Sequence, residues 1–176
     1  MNYARSAGMA IGIMIGIILI VVCLKFANRD HKMETQYDER QMEIRGKAYR
    51  LAFYTLLIYE AVMMCLDVAE IQLPVEPYFI HFLGIVIGGT VLAEYTIWHD
   101  SYWGQNNNIK RYVVVFAACI LLNLIPLIGP IRNGSLMENG KMSIAIVNLV
   151  AVVLLVVILI TTLLKMVRDR NATEEE

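Results

Sequence analysis

Five stretches of about 20 mainly apolar residues, near 7–26, 48–68, 78–98, 112–129 and 143–166, constrain what this chain of 176 residues can fold into. A bilayer core of roughly 30 Å requires about that many residues per helix, because each helical residue rises about 1.5 Å. In lipid the backbone must satisfy its own N–H and C=O groups, so runs of this length form helices. The expected fold is therefore an all-α, polytopic membrane helix bundle of about five transmembrane helices, forming a single membrane domain over 1–176. Hydrophobic residues make up 58% of the chain and charged residues 18%. A soluble domain carries roughly 45–50% and 25%, and would intersperse its charges instead of gathering them between the runs.

The first run exceeds the apolar core of a signal peptide, about 7–15 residues, and no A-x-A site follows it, so it counts as a span. Val22 stands where lipidation of Cys23 would need a small residue. Orientation follows from Lys and Arg, which stay on the cytoplasmic side. With the amino terminus outside, Lys25, Arg29, Lys32, Arg40, Arg45, Lys47, Arg50, Lys110, Arg111, Lys165, Arg168 and Arg170 fall inside, leaving Arg5, Arg132 and Lys141 outside. The chain is thus expected to lie N-out, C-in, with a charged helical loop over 27–47 in the cytoplasm. Tyr95, Trp98, Tyr102, Trp103 and Tyr112 would gather at the inner interface. The acidic end, 167–176, reads as a solvated tail. Outside, Asn133-Gly134 and Asn139-Gly140 mark turns.

Glycines recur every fourth residue at Gly8, Gly12 and Gly16 in the first run, and at Gly84 and Gly88 in the third. Such a face lets another backbone approach closely, so the two helices are expected to pack on each other or on a second copy of the chain as a homo-oligomer. Pro126 and Pro130 would kink or end the fourth helix. Asn123 would then bond a neighbour or a carbonyl freed by a proline ring.

Ionisable groups at membrane depth carry a cost that something must offset. Glu60 lies near the middle of the second run, Asp67 two turns further along the same face, and His81 one turn into the third run. Glu60, Asp67, His81, Asn123 and Asn148 can converge in the outer half of a bundle as an ion or proton site, since carboxylates, imidazole and amides supply ligands and exchangeable protons. The plainer alternative is a protonated Glu60 bonded inside the bundle, with Asp67 and His81 wet at the interface. Glu94 lies toward the cytoplasmic interface, within reach of Arg111. Cys23, Cys65 and Cys119 stand in three different runs without C-x-x-C pairing, so no metal set or disulfide is expected. No H-E-x-x-H, G-x-S-x-G or P-loop pattern occurs; no catalytic residue and no cofactor is assigned, and a net charge of −1 gives no reason to expect nucleic acid.

The stretch Tyr37–Arg50 is the densest in charge. Asp38-Glu39-Arg40-Gln41 matches a variant capping box, in which Asp38 accepts from the Gln41 amide and Gln41 reaches back. A helix starting there places Tyr37, Gln41, Ile44, Ala48 and Leu51 on one face and Arg40, Glu43, Lys47 and Arg50 beside it, with Glu43 and Lys47 as an i,i+4 pair. Together with Arg45, these charges fix topology and are available for docking a cytoplasmic protein partner or anionic lipid.

The pattern Y-D-E-R-Q-x-x-x-R-G-K-A-Y-R-x-A-F-Y, Tyr37 to Tyr54, resembles the segment before a membrane helix in small integral-membrane protein families of bacteria, especially Gram-positive ones, whose domains have no assigned function. The resemblance implies a prokaryotic plasma membrane and no particular activity. Two functions stay open on the sequence. One is a non-enzymatic accessory, sensing or immunity component that docks a partner through its charged loop. The other is a small proton- or cation-coupled transporter or channel that uses Glu60.

Overall fold

A computed structural model describes residues 3–138 and 140–174; Met1, Asn2, Asn139, Glu175 and Glu176 lie outside the described residues. The chain is a membrane-embedded bundle of helices, α1 (Tyr3–Ala27), α2 (Glu39–Val68), α3 (Pro77–Trp98), α4 (Ile109–Leu124), the short α5 (Ile128–Asn133) and α6 (Ala145–Glu174). A two-stranded hairpin, β1 (Met137–Glu138) with β2 (Lys141–Met142), sits between α5 and α6. Four stretches among the described residues are long and apolar enough to cross a bilayer: Glu39–Val68, Pro77–Trp98, Ile109–Asn133 and Ala145–Ala172. Within α1 the fully described apolar part, Met14–Ala27, is shorter than a crossing.

Large apolar side chains face outward along the helices, as with Ile17 at 57% exposure, Ile58 at 66% and Leu121 at 63%. Water would penalise so many together, whereas hydrocarbon accepts them. The packed centre is small: Ala93 and Ile97 of α3 meet Ile158 of α6, with Tyr102, Phe116 and Leu154 around them. Side by side the helices run α2, α3, α6, α4, α1.

Each helix end has a local cause. Asp38 accepts from the Gln41 amide at 2.7 Å while the Gln41 side chain accepts from the Asp38 amide at 3.2 Å, so the expected capping box starts α2. Residues 28–38 before it form turns, so the helical part of the charged loop begins only at Glu39. Pro77 occupies the first turn of α3, where its missing N–H costs nothing. Pro126 interrupts the fourth crossing as a 3-10 turn, Ile125–Leu127, and α5 ends at Gly134, whose φ of +66° suits glycine. Asn123 does not take a carbonyl freed by proline; it donates to Cys119 O, four residues back on its own helix, at 2.8 Å.

Three other expectations change. The described part of 167–176 continues α6 to Glu174 and is exposed through 172, with Lys165 paired to Asp169 one turn on at 2.6 Å and to Asp100 at 3.0 Å; the rest of the expected solvated tail, Glu175 and Glu176, lies outside the described residues. The glycine faces of α1 and α3 do not meet, since α1 packs on α4. A Cβ at Gly84 would lie 2.8 Å from the Tyr59 ring, and one at Gly88 3.5 Å from Ala52 O, so these two glycines bring α3 close to α2. Gly8, Gly12 and Gly16 have open space where a Cβ would be.

Candidate functional site

The polar groups gather at the two ends of the bundle. At the end carrying most of the Lys and Arg, the loop after α1 and the loop between α3 and α4 are bonded together. Asn107 Nδ2 donates to Asn28 Oδ1 at 2.6 Å, and the Tyr112 hydroxyl donates to the same oxygen at 3.0 Å. Asn106 Nδ2 donates to Glu34 O at 2.8 Å, and its Oδ1 accepts from the Gln36 amide at 2.9 Å. Backbone bonds from Arg29 to Asn106 and from Gln105 to Gln36 complete the join. Asn28, Asn106 and Asn107 are buried, so each amide needs these partners. Gly104 is required here, because a Cβ would collide with Thr35 and reach within 2.5 Å of Gln36 O.

Gln41 belongs to this join, its Nε2 donating to Asp100 O at 2.9 Å and Trp103 O at 3.0 Å. Arg45 donates to Ser101 O at 3.2 Å. The residues considered for docking therefore divide. Asp38, Gln41 and Arg45 hold the chain to itself, while Glu39, Arg40, Glu43, Lys47 and Arg50 remain exposed, with Glu43 and Lys47 paired at 2.6 Å. Arg111 bonds the carbonyls of Phe26 and Asn28. The Oε1 atom of Glu94 is buried without a hydrogen-bond partner.

Three of the five aromatic residues expected at this interface collect, Trp103 standing 4.6 Å from Tyr102 and 5.0 Å from Tyr112, ring centre to ring centre, while Tyr95 stacks on His99 and Trp98 lies by Arg168. Burial pushes the Tyr102 phenol up to about 12, the nearby Tyr112 and Tyr37 adding to it while Arg45 opposes. The asparagine join was missed by sequence reasoning; its trace is the run Gln105-Asn106-Asn107-Asn108, which ends in the N-cap of α4.

At the opposite end, His81 Nδ1 of α3 lies 3.1 Å from Glu60 Oε2 of α2. The pair lines a hollow of about 350 Å³ with Asp67, Met63, Met64 and Pro77. A larger hollow of about 510 Å³ adjoins it, sharing Met63, Asp67, Pro77 and Ile80 and adding Glu70 and Lys141. Together they make a vestibule, beside which Met142 N donates to Pro74 O at 3.0 Å and Lys141 Nζ meets Glu76 Oε1 at 3.1 Å. Side-chain exposure is 36% for Glu60 and 68% for His81.

Of the five residues expected to converge, Glu60, Asp67 and His81 line one hollow; Asn123 and Asn148 are not part of it. The reason is packing: Asn123 and Asn148 are on α4 and α6, while α2 packs chiefly on α3. Among the described residues no three His, Cys, Asp or Glu side chains form a metal-binding group. What the arrangement can do is exchange a proton between a carboxylate and an imidazole that line one hollow. Comparisons with protein-family models, curated proteins and solved structures find no match for this chain.

Proposed function

We propose that the chain is a non-enzymatic multi-pass protein of the plasma membrane that binds and releases a proton at Glu60 and His81, as a small proton-coupled carrier or sensor. The observation that supports this reading is the 3.1 Å contact between the two side chains beneath an open vestibule. An ionisable pair in a membrane helix is costly, and carriers of protons retain such pairs because the charge must move. The positive-inside rule orients the chain N-out, C-in, so the vestibule opens away from the cytoplasm.

Reconstituted in liposomes under a pH gradient, the protein is expected to move protons, and Glu60→Gln to slow that flux by about tenfold or more, an effect worth at least about 1.4 kcal/mol. Flux indifferent to Glu60→Gln overturns the role of Glu60. No flux, together with no proton uptake on a pH jump, overturns the reading as a whole.

A second reading is favoured by the exposed side chains Glu39, Arg40, Glu43, Lys47 and Arg50, which stand on a helix start held firmly by Gln41. On this reading the protein is an accessory component that docks a soluble partner at that stripe. Charge reversal at Arg40 and Arg50 should then abolish co-purification of the partner while membrane insertion persists; an unchanged set of partners counts against it.

A further inference from the structure

A hollow of about 220 Å³ lies among the end of α1, the start of α2 and the α3–α4 loop, walled by Tyr37, Tyr102, Trp103 and Tyr112, with Thr35 and Arg45. No acidic side chain lines it. Arg45 is half-buried, its guanidinium 4.0 Å from the Tyr37 ring centre, and it donates to Ser101 O at 3.2 Å and to the Tyr49 hydroxyl at 3.1 Å. All three partners are neutral.

Two lysines at this end are answered by acids, Lys47 by Glu43 and Lys165 by Asp100 and Asp169, while Arg111 bonds the carbonyls of Phe26 and Asn28. Among the described residues no carboxylate lies within ion-pairing distance of Arg45. Partial burial of a guanidinium without a counter-charge carries a cost, and an anion in the hollow would offset it. Burial raises the phenols of Tyr37 and Tyr102, so both stay protonated near neutral pH and add no negative charge.

Position narrows the class of anion. Arg45 stands three residues, less than one turn, before Ala48, and Tyr and Trp rings gather where lipid headgroups lie. Arginine's planar fork suits phosphate oxygens. The space is smaller than the roughly 300–1,000 Å³ of a site for a drug-sized molecule, which suits a headgroup fragment.

We infer that this hollow binds the phosphate of an anionic lipid headgroup, with Arg45 as its counter-ion and the aromatic rings as its walls. A free phosphate ion presents the same oxygens, so the test must separate the two sources.

The full chain carries two tryptophans, Trp98 and Trp103, so Trp98→Phe leaves Trp103 as a fluorescent reporter in the wall of the hollow. In neutral detergent, short-chain phosphatidylglycerol is expected to change Trp103 emission saturably, with short-chain phosphatidylcholine giving a weaker response. Arg45→Gln should weaken phosphatidylglycerol binding about tenfold or more, whereas Lys110→Gln, an exposed cation at the same end of the bundle, should leave it within about twofold. Inorganic phosphate producing the same saturable, Arg45-dependent change would overturn the lipid assignment in favour of the free ion. No saturable response to either, or equal responses from wild type and Arg45→Gln, overturns the site. Should Arg45→Gln fail to fold, Arg45→Lys and native mass spectrometry decide. Weakened binding in Arg45→Lys, with wild type retaining phosphatidylglycerol in preference to phosphatidylcholine, supports the site, and no preference overturns it.

Discussion

The side-chain amide of Asn107 donates to the side-chain oxygen of Asn28 at 2.6 Å, joining residues 79 apart in the chain. Both residues are buried, and the same Asn28 oxygen accepts from Tyr112. Removing either amide leaves buried polar atoms without partners, at about 1–3 kcal/mol for each orphaned group. Asn28→Ala and Asn107→Ala should each lower thermal stability in detergent, and the double variant should lose less than the sum. Unfolding temperatures that do not move would refute the join as a source of stability.

Gln41 serves twice, in the capping box and as donor to Asp100 O and Trp103 O. Gln41→Ala should cost about 2–4 kcal/mol, adding a lost cap to lost buried bonds. Glu43→Ala, at an exposed ion pair, should cost less than about 0.5 kcal/mol. Denaturant titration of the two variants side by side checks the contrast.

Gly84 leaves no room for a methyl group, since its Cβ would sit 2.8 Å from the Tyr59 ring and 3.0 Å from Glu60 Oε1. Gly84→Ala must displace Tyr59 and Glu60 and so disturb the contact with His81. The expected outcome is a loss of about 1–3 kcal/mol in stability, together with a fall in any proton flux. Gly89→Ala, with open space at its Cβ, should leave both unchanged.

Stability should vary with pH at both extremes. Tyr102 has its folded pKa raised from 10.0 to about 12 by burial, so its neutral form is favoured in the folded chain. The stabilisation is whole below pH 10 and is lost as pH rises toward 12, a change on the order of 2–3 kcal/mol. Tyr102→Phe should flatten this alkaline loss in a pH series of unfolding temperatures. For Asp30, desolvation raises the pKa, but hydrogen bonds from the Lys32 amide and the Asn106 side chain outweigh it and hold the carboxyl below 3.8. That contribution is present above pH 3.8 and lost as pH falls through the folded value, so Asp30→Asn should blunt the acid side of the same series.

Glu94 carries a buried Oε1 with no hydrogen-bond partner. Replacing this acid by Gln, which keeps the shape, should leave stability unchanged or raise it by about 1–2 kcal/mol. A marked loss on Glu94→Gln in thermal unfolding would mean that the carboxyl itself is needed.

The helical architecture was largely legible because its causes are local. Bilayer length fixes the long apolar runs, and the Asp38–Gln41 box spans only four residues, so both can be read from neighbours in sequence. The continuation of α6 into the acidic end was also local, in the spacing of Lys165 and Asp169, but the composition there suggested a coil. Of the candidate site, Glu60 and His81 could be matched by depth on consecutive antiparallel helices. Depth alone misled for Asn123 and Asn148, because it says nothing about which helices share a face. The asparagine join was illegible for a related reason: a pairing between Asn28 and the run before α4 leaves no periodic trace, and asparagines in loops ordinarily signify turns.

The long reach of that join bears on how the protein is made. Asn28, Gln36 and Gln41 emerge from the ribosome 59 to 79 residues ahead of their partners at Asp100, Gln105 and Asn107. Until α3 has been inserted and its following loop synthesised, those amides have only water and near neighbours such as Lys32 and Asp38 to bond with. The loop after α1 must therefore remain in aqueous surroundings through the synthesis of two further helices, and only then can the first half of the chain close.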